Sequence, residues 1–174
     1  TIVVASSTSN GYELTNGSFC NNYSVAAASN GGSGVVSNTI KACSWLVSSA
    51  NSNTTDGFNC TSTDNSIFNV EATGNGGQGI ELVSGCDSNF LSNFLVEDNT
   101  SDGIKLTGTC DNNNIGPGRL DGNGGYGINI AASTCDTNTI IVPSYGTNTS
   151  GNLQDLGTNT NNVATTLTAT KAFF

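Results

Sequence analysis

Asn-Gly-Gly-x-Gly is the pattern that decides the fold, and it occurs as Asn30-Gly31-Gly32-Ser33-Gly34, Asn75-Gly76-Gly77-Gln78-Gly79 and Asn123-Gly124-Gly125-Tyr126-Gly127. An aliphatic residue follows each copy directly. The last glycine of each copy belongs to a longer series whose successive members are 22 to 24 residues apart. That series is Gly11, Gly34, Gly57, Gly79, Gly103 and Gly127. A period of this length is typical of solenoid proteins, in which each repeat forms one coil that stacks on the next.

The residues after these glycines predict a short β-strand in every coil. The clearest copies are Ile80-Glu81-Leu82, Ile104-Lys105-Leu106 and Ile128-Asn129-Ile130. Their first and third residues are apolar and their middle residue is polar, an alternation typical of a strand with one buried face. We therefore expect the six aliphatic side chains to face one core, with the middle residues outside and Glu81 opposite Lys105.

Two further strands are expected in each coil. One follows a turn that contains an aspartate, at Asp64, Asp87, Asp111 and Asp136. Asp and Asn bond to their own backbone and tolerate a left-handed conformation, so they suit tight corners; a ladder of metal ligands is the alternative. The other strand precedes the glycines, around Val70, Val96 and Leu120.

Composition agrees with an all-β fold. Asn, Thr, Ser and Gly make up 92 of the 174 residues, and good helix formers are scarce. A helical bundle and a doubly wound α/β fold are therefore excluded. We predict a parallel β-helix of about six coils in residues 11–162, an N-terminal strand or cap in residues 1–10, and a C-terminal strand extension in residues 163–174.

The net charge, the lack of long apolar runs and the first residue limit the functional classes that are expected. The net charge is −9, and three Lys and one Arg cannot neutralise a row of phosphates, so a nucleic-acid partner is not expected. No run approaches about 18 consecutive apolar residues, so no membrane span is expected. The chain begins with Thr1 and contains no Met, which indicates a processed mature chain or a fragment of a longer one.

The repeats resemble those of the right-handed parallel β-helix proteins of the pectin-lyase-like superfamily, which also occur in phage tail spikes and secreted bacterial proteins. The resemblance rests on Asn-Gly-Gly-x-Gly-Ile and Cys-Asp-x-Asn-x-Ile type repeats and covers about residues 11–160. Members of this superfamily include lyases, hydrolases, epimerases, adhesins and inert fibres. The resemblance therefore implies the fold and does not select an activity.

Cysteine and asparagine usage indicates an oxidising location, namely extracellular, at a cell surface or at a virion surface. Cys86, Cys110 and Cys135 should stack in one buried column, whereas Cys20 and Cys43 each lie nine residues after a repeat glycine and form a candidate disulfide. Sequons for N-glycosylation occur at Asn16, Asn22, Asn53, Asn59, Asn99 and Asn148. Their number is what this composition gives by chance.

The strongest candidate for catalysis is an acidic row of Glu71, Glu97 and Asp121, with Arg119 two residues before Asp121. Paired carboxylates serve acid–base chemistry on sugars or hold Ca²⁺, and an adjacent Arg resembles a lyase site. The chain has no His, so an epimerase-like site that uses a His has no counterpart. We favour the simpler interpretation that these residues solvate an outer face, and we predict no catalytic residue, cofactor or metal.

The termini favour a structural function. A solenoid leaves unpaired strand edges at both ends, and this chain places strand-prone residues there: Ile2, Val3, Val4, Leu167, Phe173 and Phe174. We predict a non-catalytic, extracellular, self-assembling subunit of a filament, fibre or spike, with copies of itself as partner. The alternative is a polysaccharide-active lyase or hydrolase, or a glycan-binding fragment such as a viral tail-spike module, whose partner is a cell-surface or extracellular polysaccharide.

Overall fold

The computed structural model describes residues 2–17, 24–42, 44–141 and 143–163, and all regular structure within these ranges is β. The strands are β1 Ile2–Ala5, β2 Tyr12–Thr15, β3 Val25–Ala28, β4 Val35–Lys41, β5 Ser44–Asn51, β6 Phe58–Thr63, β7 Ser66–Thr73, β8 Ile80–Leu82, β9 Phe90–Ser92, β10 Phe94–Glu97, β11 Ile104–Leu106, β12 Asn114–Ile115, β13 Gly118–Asp121, β14 Tyr126–Ile130, β15 Thr139–Ile141, β16 Ser144–Tyr145, β17 Gly151–Asp155 and β18 Asn161–Val163. They wind into a parallel β-solenoid of about six turns, which confirms the predicted fold.

The strands that follow the repeat glycines form one face of the solenoid, here called the first face. It is a seven-stranded parallel sheet in the order β2-β4-β6-β8-β11-β14-β17. Its register is the one that the repeat predicts, because Ile104 pairs with Ile80 on one side and with Ile128 on the other. Lys105 accordingly faces Glu81.

The remaining strands form a sheet that bends into two faces. The second face contains β9, β12, β15 and β18 together with the first halves of β5 and β7. The third face contains β1, β3, β10, β13 and β16 together with the second halves of β5 and β7. In the earlier coils of β5 and β7, a single long strand therefore continues from the second face onto the third. In later coils, two separate short strands form these two faces.

The core is a cylinder of stacked aliphatic side chains. The six predicted inward residues are all fully buried: Ile80, Leu82, Ile104, Leu106, Ile128 and Ile130. Trp45 is fully buried in this core and packs edge-on against Phe58, with ring centroids 5.3 Å apart. Asn129 has the outward register, yet it is only 8% exposed because its amide donates to Asp102 at 2.9 Å.

Two ladders of buried asparagines run along the solenoid axis. The first contains Asn30, Asn53, Asn75, Asn99, Asn123 and Asn148, and the second contains Asn65, Asn89, Asn113 and Asn138. At each step, the Oδ1 of one Asn accepts hydrogen bonds from the backbone N–H and the Nδ2 of the Asn in the preceding coil, as between Asn53 and Asn75. The expectation that Asn in the aspartate turn bonds to its own backbone was wrong for the second ladder, because the partners of these side chains lie in adjacent coils.

In the coil that contains Asp64, the aspartate turn is shifted by one residue from the predicted alignment. Asp64 takes the position of Ser88, since both have a φ of 57° and each donates its backbone N–H to the carbonyl of the next coil's turn. Asp87 and Asp111 instead accept the backbone N–H of Asp111 and Asp136 at 2.8 and 2.7 Å. These carboxylates join adjacent coils, and Asp64 lies outside their column.

Candidate functional site

The third face brings together Glu97, Arg119 and Asp121. Strands β10 and β13 pair in register, so that Glu97 lies opposite Asp121 and Arg119 lies opposite Leu95. The Arg119 guanidinium spans both carboxylates, with Nη1 2.6 Å from Glu97 Oε1 and Nη2 2.7 Å from Asp121 Oδ2. Its side chain is 54% exposed, so this cluster lies at the surface.

Glu71 does not belong to the same column. It pairs with Leu95, whereas Glu97 pairs with Thr73 two residues further along β7. The Glu71 carboxylate accepts a hydrogen bond from the Asn51 amide at 2.8 Å. The predicted acidic row of three is therefore a pair, Glu97 and Asp121, and Glu71 lies two residues away along the strand direction.

Asp121 is held as an anion by two donors. Its Oδ1 accepts the backbone N–H of Thr147 at 2.6 Å, and its Oδ2 accepts from Arg119 at 2.7 Å. The Thr147 hydrogen bond and the Arg119 charge lower the pKa of this carboxyl below its usual range. Gly146 makes this approach possible, because a Cβ there would lie 1.9 Å from Asp121 Oδ1.

An open depression of about 430 Å³ lies beside this cluster, between β7, β10 and β13. It is lined by Asn69, Val70, Glu71, Asn93, Phe94, Leu95, Gly118 and Arg119. Asn93 donates its amide to Asn69 Oδ1 at the rim. Apolar side chains together with a few amides and charged groups are typical of a surface that binds a small polar molecule or a sugar ring.

A second polar cluster on the first face was missed from the sequence. The Asn59 amide donates to Asp56 Oδ2 and to Glu81 Oε2, each at 3.0 Å. Burial raises the pKa of Glu81 and the Asp56 charge raises it further, while Lys105 lowers it. The signal was present in the repeat, because Asp56 directly precedes Gly57 and both Asn59 and Glu81 lie two residues after their own glycines.

Three of the predicted glycosylation sites are inaccessible in this fold. Asn53, Asn99 and Asn148 are members of the first asparagine ladder and are 2%, 1% and 8% exposed. The Nδ2 that would carry a glycan already donates inside the solenoid, in Asn99 to Ala72 O and Asn123 Oδ1 at 2.9 Å each. Asn53, Asn99 and Asn148 are therefore structural residues, and the prediction that they are glycosylation sites is wrong for this fold.

The other three sequons differ in their accessibility. Asn16 is exposed, and Asn59 is half-buried with its amide engaged by Asp56 and Glu81. Asn22 lies outside the described residues. Asn16 therefore remains as an accessible candidate for glycosylation.

The cysteines of the core are buried thiols. Cys60, Cys86, Cys110 and Cys135 are free and fully buried. Burial raises the pKa of Cys110 to about 12, so its thiol stays protonated, and it donates to Leu82 O at 3.3 Å. Cys20 and Cys43, the candidate disulfide, lie outside the described residues.

Within the described ranges, no group of three or more His, Cys, Asp or Glu side chains is arranged to hold a metal ion. The same part of the chain contains no helix with the length and apolar character needed to cross a membrane.

Comparison with known proteins gives structural neighbours only. Neither a protein-family model nor a curated protein matches the sequence. The periplasmic alginate epimerase AlgG matches with a TM-score of 0.75 and 15% identity, covering 82% of this chain and 38% of that chain. The A-module of mannuronan C-5 epimerase AlgE4 from Azotobacter vinelandii matches with a TM-score of 0.74 and 17% identity, covering 93% of this chain and 56% of that chain.

The A-module of AlgE6 from the same organism has a TM-score of 0.58 and 14% identity, over 87% of this chain and 63% of that chain. The chain thus spans between 38% and 63% of the length of these three neighbours. Identities this low establish a common fold and carry no activity with them. This chain therefore has a parallel β-helix fold, which it shares with these alginate epimerases.

Proposed function

We propose that this chain is a polysaccharide-binding β-helix module that acts outside the cytoplasm, with the third face around β7, β10 and β13 as its contact surface. The observation that carries this proposal is the depression beside Glu97, Arg119 and Asp121, with Leu95 and amide groups at its wall. The neighbours support the polysaccharide class and the location, since they are named as alginate and mannuronan epimerases and AlgG is named as periplasmic.

The charges around the depression favour binding over turnover. General acid catalysis on a glycosidic bond needs a carboxyl whose pKa is raised, whereas the pKa of Asp121 is lowered. Arg119 is engaged by both carboxylates, so its positive charge is already compensated. The carboxylate oxygens of this arrangement can accept hydrogen bonds from sugar hydroxyl groups.

The same charges favour a neutral glycan over a polyanionic one. Glu97, Asp121 and Arg119 together carry one net negative charge, and Glu71 adds another at the rim. The whole chain carries a net charge of −9, so the field around it repels uronate chains. Hydroxyl groups of a neutral sugar can donate to Glu71 and accept from the Asn93 amide while a ring face contacts Leu95.

The test measures the binding of soluble polysaccharides by affinity electrophoresis and by calorimetry. It compares neutral glucans and mannans with alginate. Leu95→Ser should weaken binding of the neutral glycan about fivefold, because about 1 kcal/mol of apolar contact is lost. Val36→Ser is the matched control, since Val36 has the same half-buried outward position on the first face. Equal loss in both variants, or tight binding of alginate alone, contradicts the proposal.

A second candidate function is a stiff structural rod, and the asparagine ladders favour it. The first ladder runs without interruption from Asn30 to Asn148 and adds side-chain hydrogen bonds to the backbone pairing between coils. Every opening between two coils must break both sets of hydrogen bonds at once. Resistance of the native chain to a broad-specificity protease, without any glycan binding, would favour this function over the first.

A further inference from the structure

At the N-terminal end of the solenoid, the first layer of inward-facing side chains is partly exposed. Strand β1 is the first of its sheet and β2 is the last of the first face, so each has one edge without a partner strand among the described residues. Ile2 has the same inward position as Val25 in the next coil, but it is 36% exposed whereas Val25 is 1% exposed. Val3, which points outward, is 72% exposed.

The open edge of β1 offers backbone hydrogen-bond groups at alternate residues. Ile2 and Ser6 donate their N–H groups to Ser24 O and Ala28 O on the β3 side. Because neighbouring residues of a strand point their N–H and C=O groups to opposite sides, those of Val3 and Ala5 face the open edge. An apolar strand edge of this kind is a template for pairing with another strand.

We propose that this edge binds residues 164–174 of a second copy of the chain, which add a parallel strand to β1. These residues read Ala-Thr-Thr-Leu-Thr-Ala-Thr-Lys-Ala-Phe-Phe, a stretch rich in β-branched and aromatic side chains. Strand addition supplies backbone hydrogen bonds to Val3 and Ala5, and the apolar side chains cover Ile2. The single charged side chain of the segment, Lys171, is opposite in sign to the exposed Glu13 of β2.

Reach excludes pairing of the segment with its own β1. The segment follows β18, which is seven strand steps from β1 in the sheet order. At about 4.8 Å per step, the two strands are about 34 Å apart. A fully extended chain of eleven residues spans at most about 36 to 40 Å, so it would have almost no residues left to pair.

The contact is head-to-tail. The donor end of one copy and the acceptor end of the next are different surfaces, so unless the rotation closes a ring the contact produces an open filament. This inference is independent of glycan binding, because the third-face depression and the N-terminal edge share no residue.

The test compares four forms of the chain by multi-angle light scattering across concentration and by negative-stain electron microscopy. The native chain should form oligomers that grow with concentration. Deletion of residues 164–174 should give folded monomers, and so should Val3→Pro, which removes an N–H from the open edge but not from the β3 side. Val3→Thr keeps the N–H and the β-branched shape and should assemble as the native chain does.

Each outcome decides the proposal. In Val3→Pro, the dissociation constant for assembly should rise at least tenfold while the far-ultraviolet spectrum stays that of the native β-helix. A synthetic peptide of residues 164–174 should bind the deletion variant and should not bind the deletion variant that also carries Val3→Pro. Monomers of the native chain at all concentrations, or filaments that persist after the deletion because whole end coils stack directly, overturn the proposal.

Discussion

Removing one rung of the first asparagine ladder should destabilise the solenoid strongly. Asn99 is 1% exposed, and its side chain takes part in four hydrogen bonds. Its Oδ1 accepts from the N–H and Nδ2 of Asn75, and its Nδ2 donates to Ala72 O and Asn123 Oδ1. Asn99→Ala deletes all four and leaves buried groups of three neighbouring residues without these partners.

The expected loss follows from the count of hydrogen bonds. A buried hydrogen bond contributes about 1 kcal/mol net, and a buried donor left unpaired costs about 1 to 3 kcal/mol. Partial relaxation of the neighbours offsets some of this cost, so we expect Asn99→Ala to lower the free energy of unfolding by about 3 to 5 kcal/mol. That is a large part of the stability of a domain of this size.

Equilibrium urea unfolding followed by the fluorescence of Trp45 measures this change, since Trp45 is the single tryptophan and is fully buried. Asn152→Ala is the control, because Asn152 is exposed and the same truncation there should change stability by no more than about 0.5 kcal/mol. The slope of the unfolding curve should be equal in all three proteins, so that the midpoints are comparable. A loss below about 1 kcal/mol in Asn99→Ala would refute the claim that the ladder stabilises the stack.

Three further predictions concern the core, the thiols and the surface cluster. Ile104→Asp buries an unpaired carboxylate between two coils and should cost several kcal/mol, so a soluble variant with native circular dichroism would contradict the register. Cys60, Cys86, Cys110 and Cys135 should react with a thiol reagent only after denaturation, which mass spectrometry of the labelled native chain checks. Because the folded pKa of Asp121 is lowered, its stabilising contribution is complete above the unfolded pKa of about 3.9 and is lost as the pH falls through the folded value. The stability difference between the native chain and Asp121→Asn should therefore shrink with acidification, and a difference that grows below pH 4 would contradict this sign.

The acidic residues show what exact glycine spacing predicts and what it leaves open. Glu97 and Asp121 each lie six residues before their repeat glycine, whereas Glu71 lies eight residues before Gly79. That difference of two residues is the register of the structure, in which Glu97 pairs with Thr73 and Glu71 pairs with Leu95. Only the side-chain positions show that Arg119 bridges Glu97 and Asp121 and that Glu71 lies at the rim of the depression.

The sequence by itself determined the solenoid, its period and the inward column of aliphatic residues. These features depend on local alternation and on a repeat that every coil obeys, so they can be read without coordinates. The tertiary structure alone decided which polar residues are buried. Asn53, Asn99 and Asn148 have the sequence of surface glycosylation sites, but each lies at a corner where the Asn of an adjacent coil completes its hydrogen bonds. Their burial costs little because partners 22 to 25 residues away satisfy them, and such distant pairing is a property of the stack and not of any one repeat.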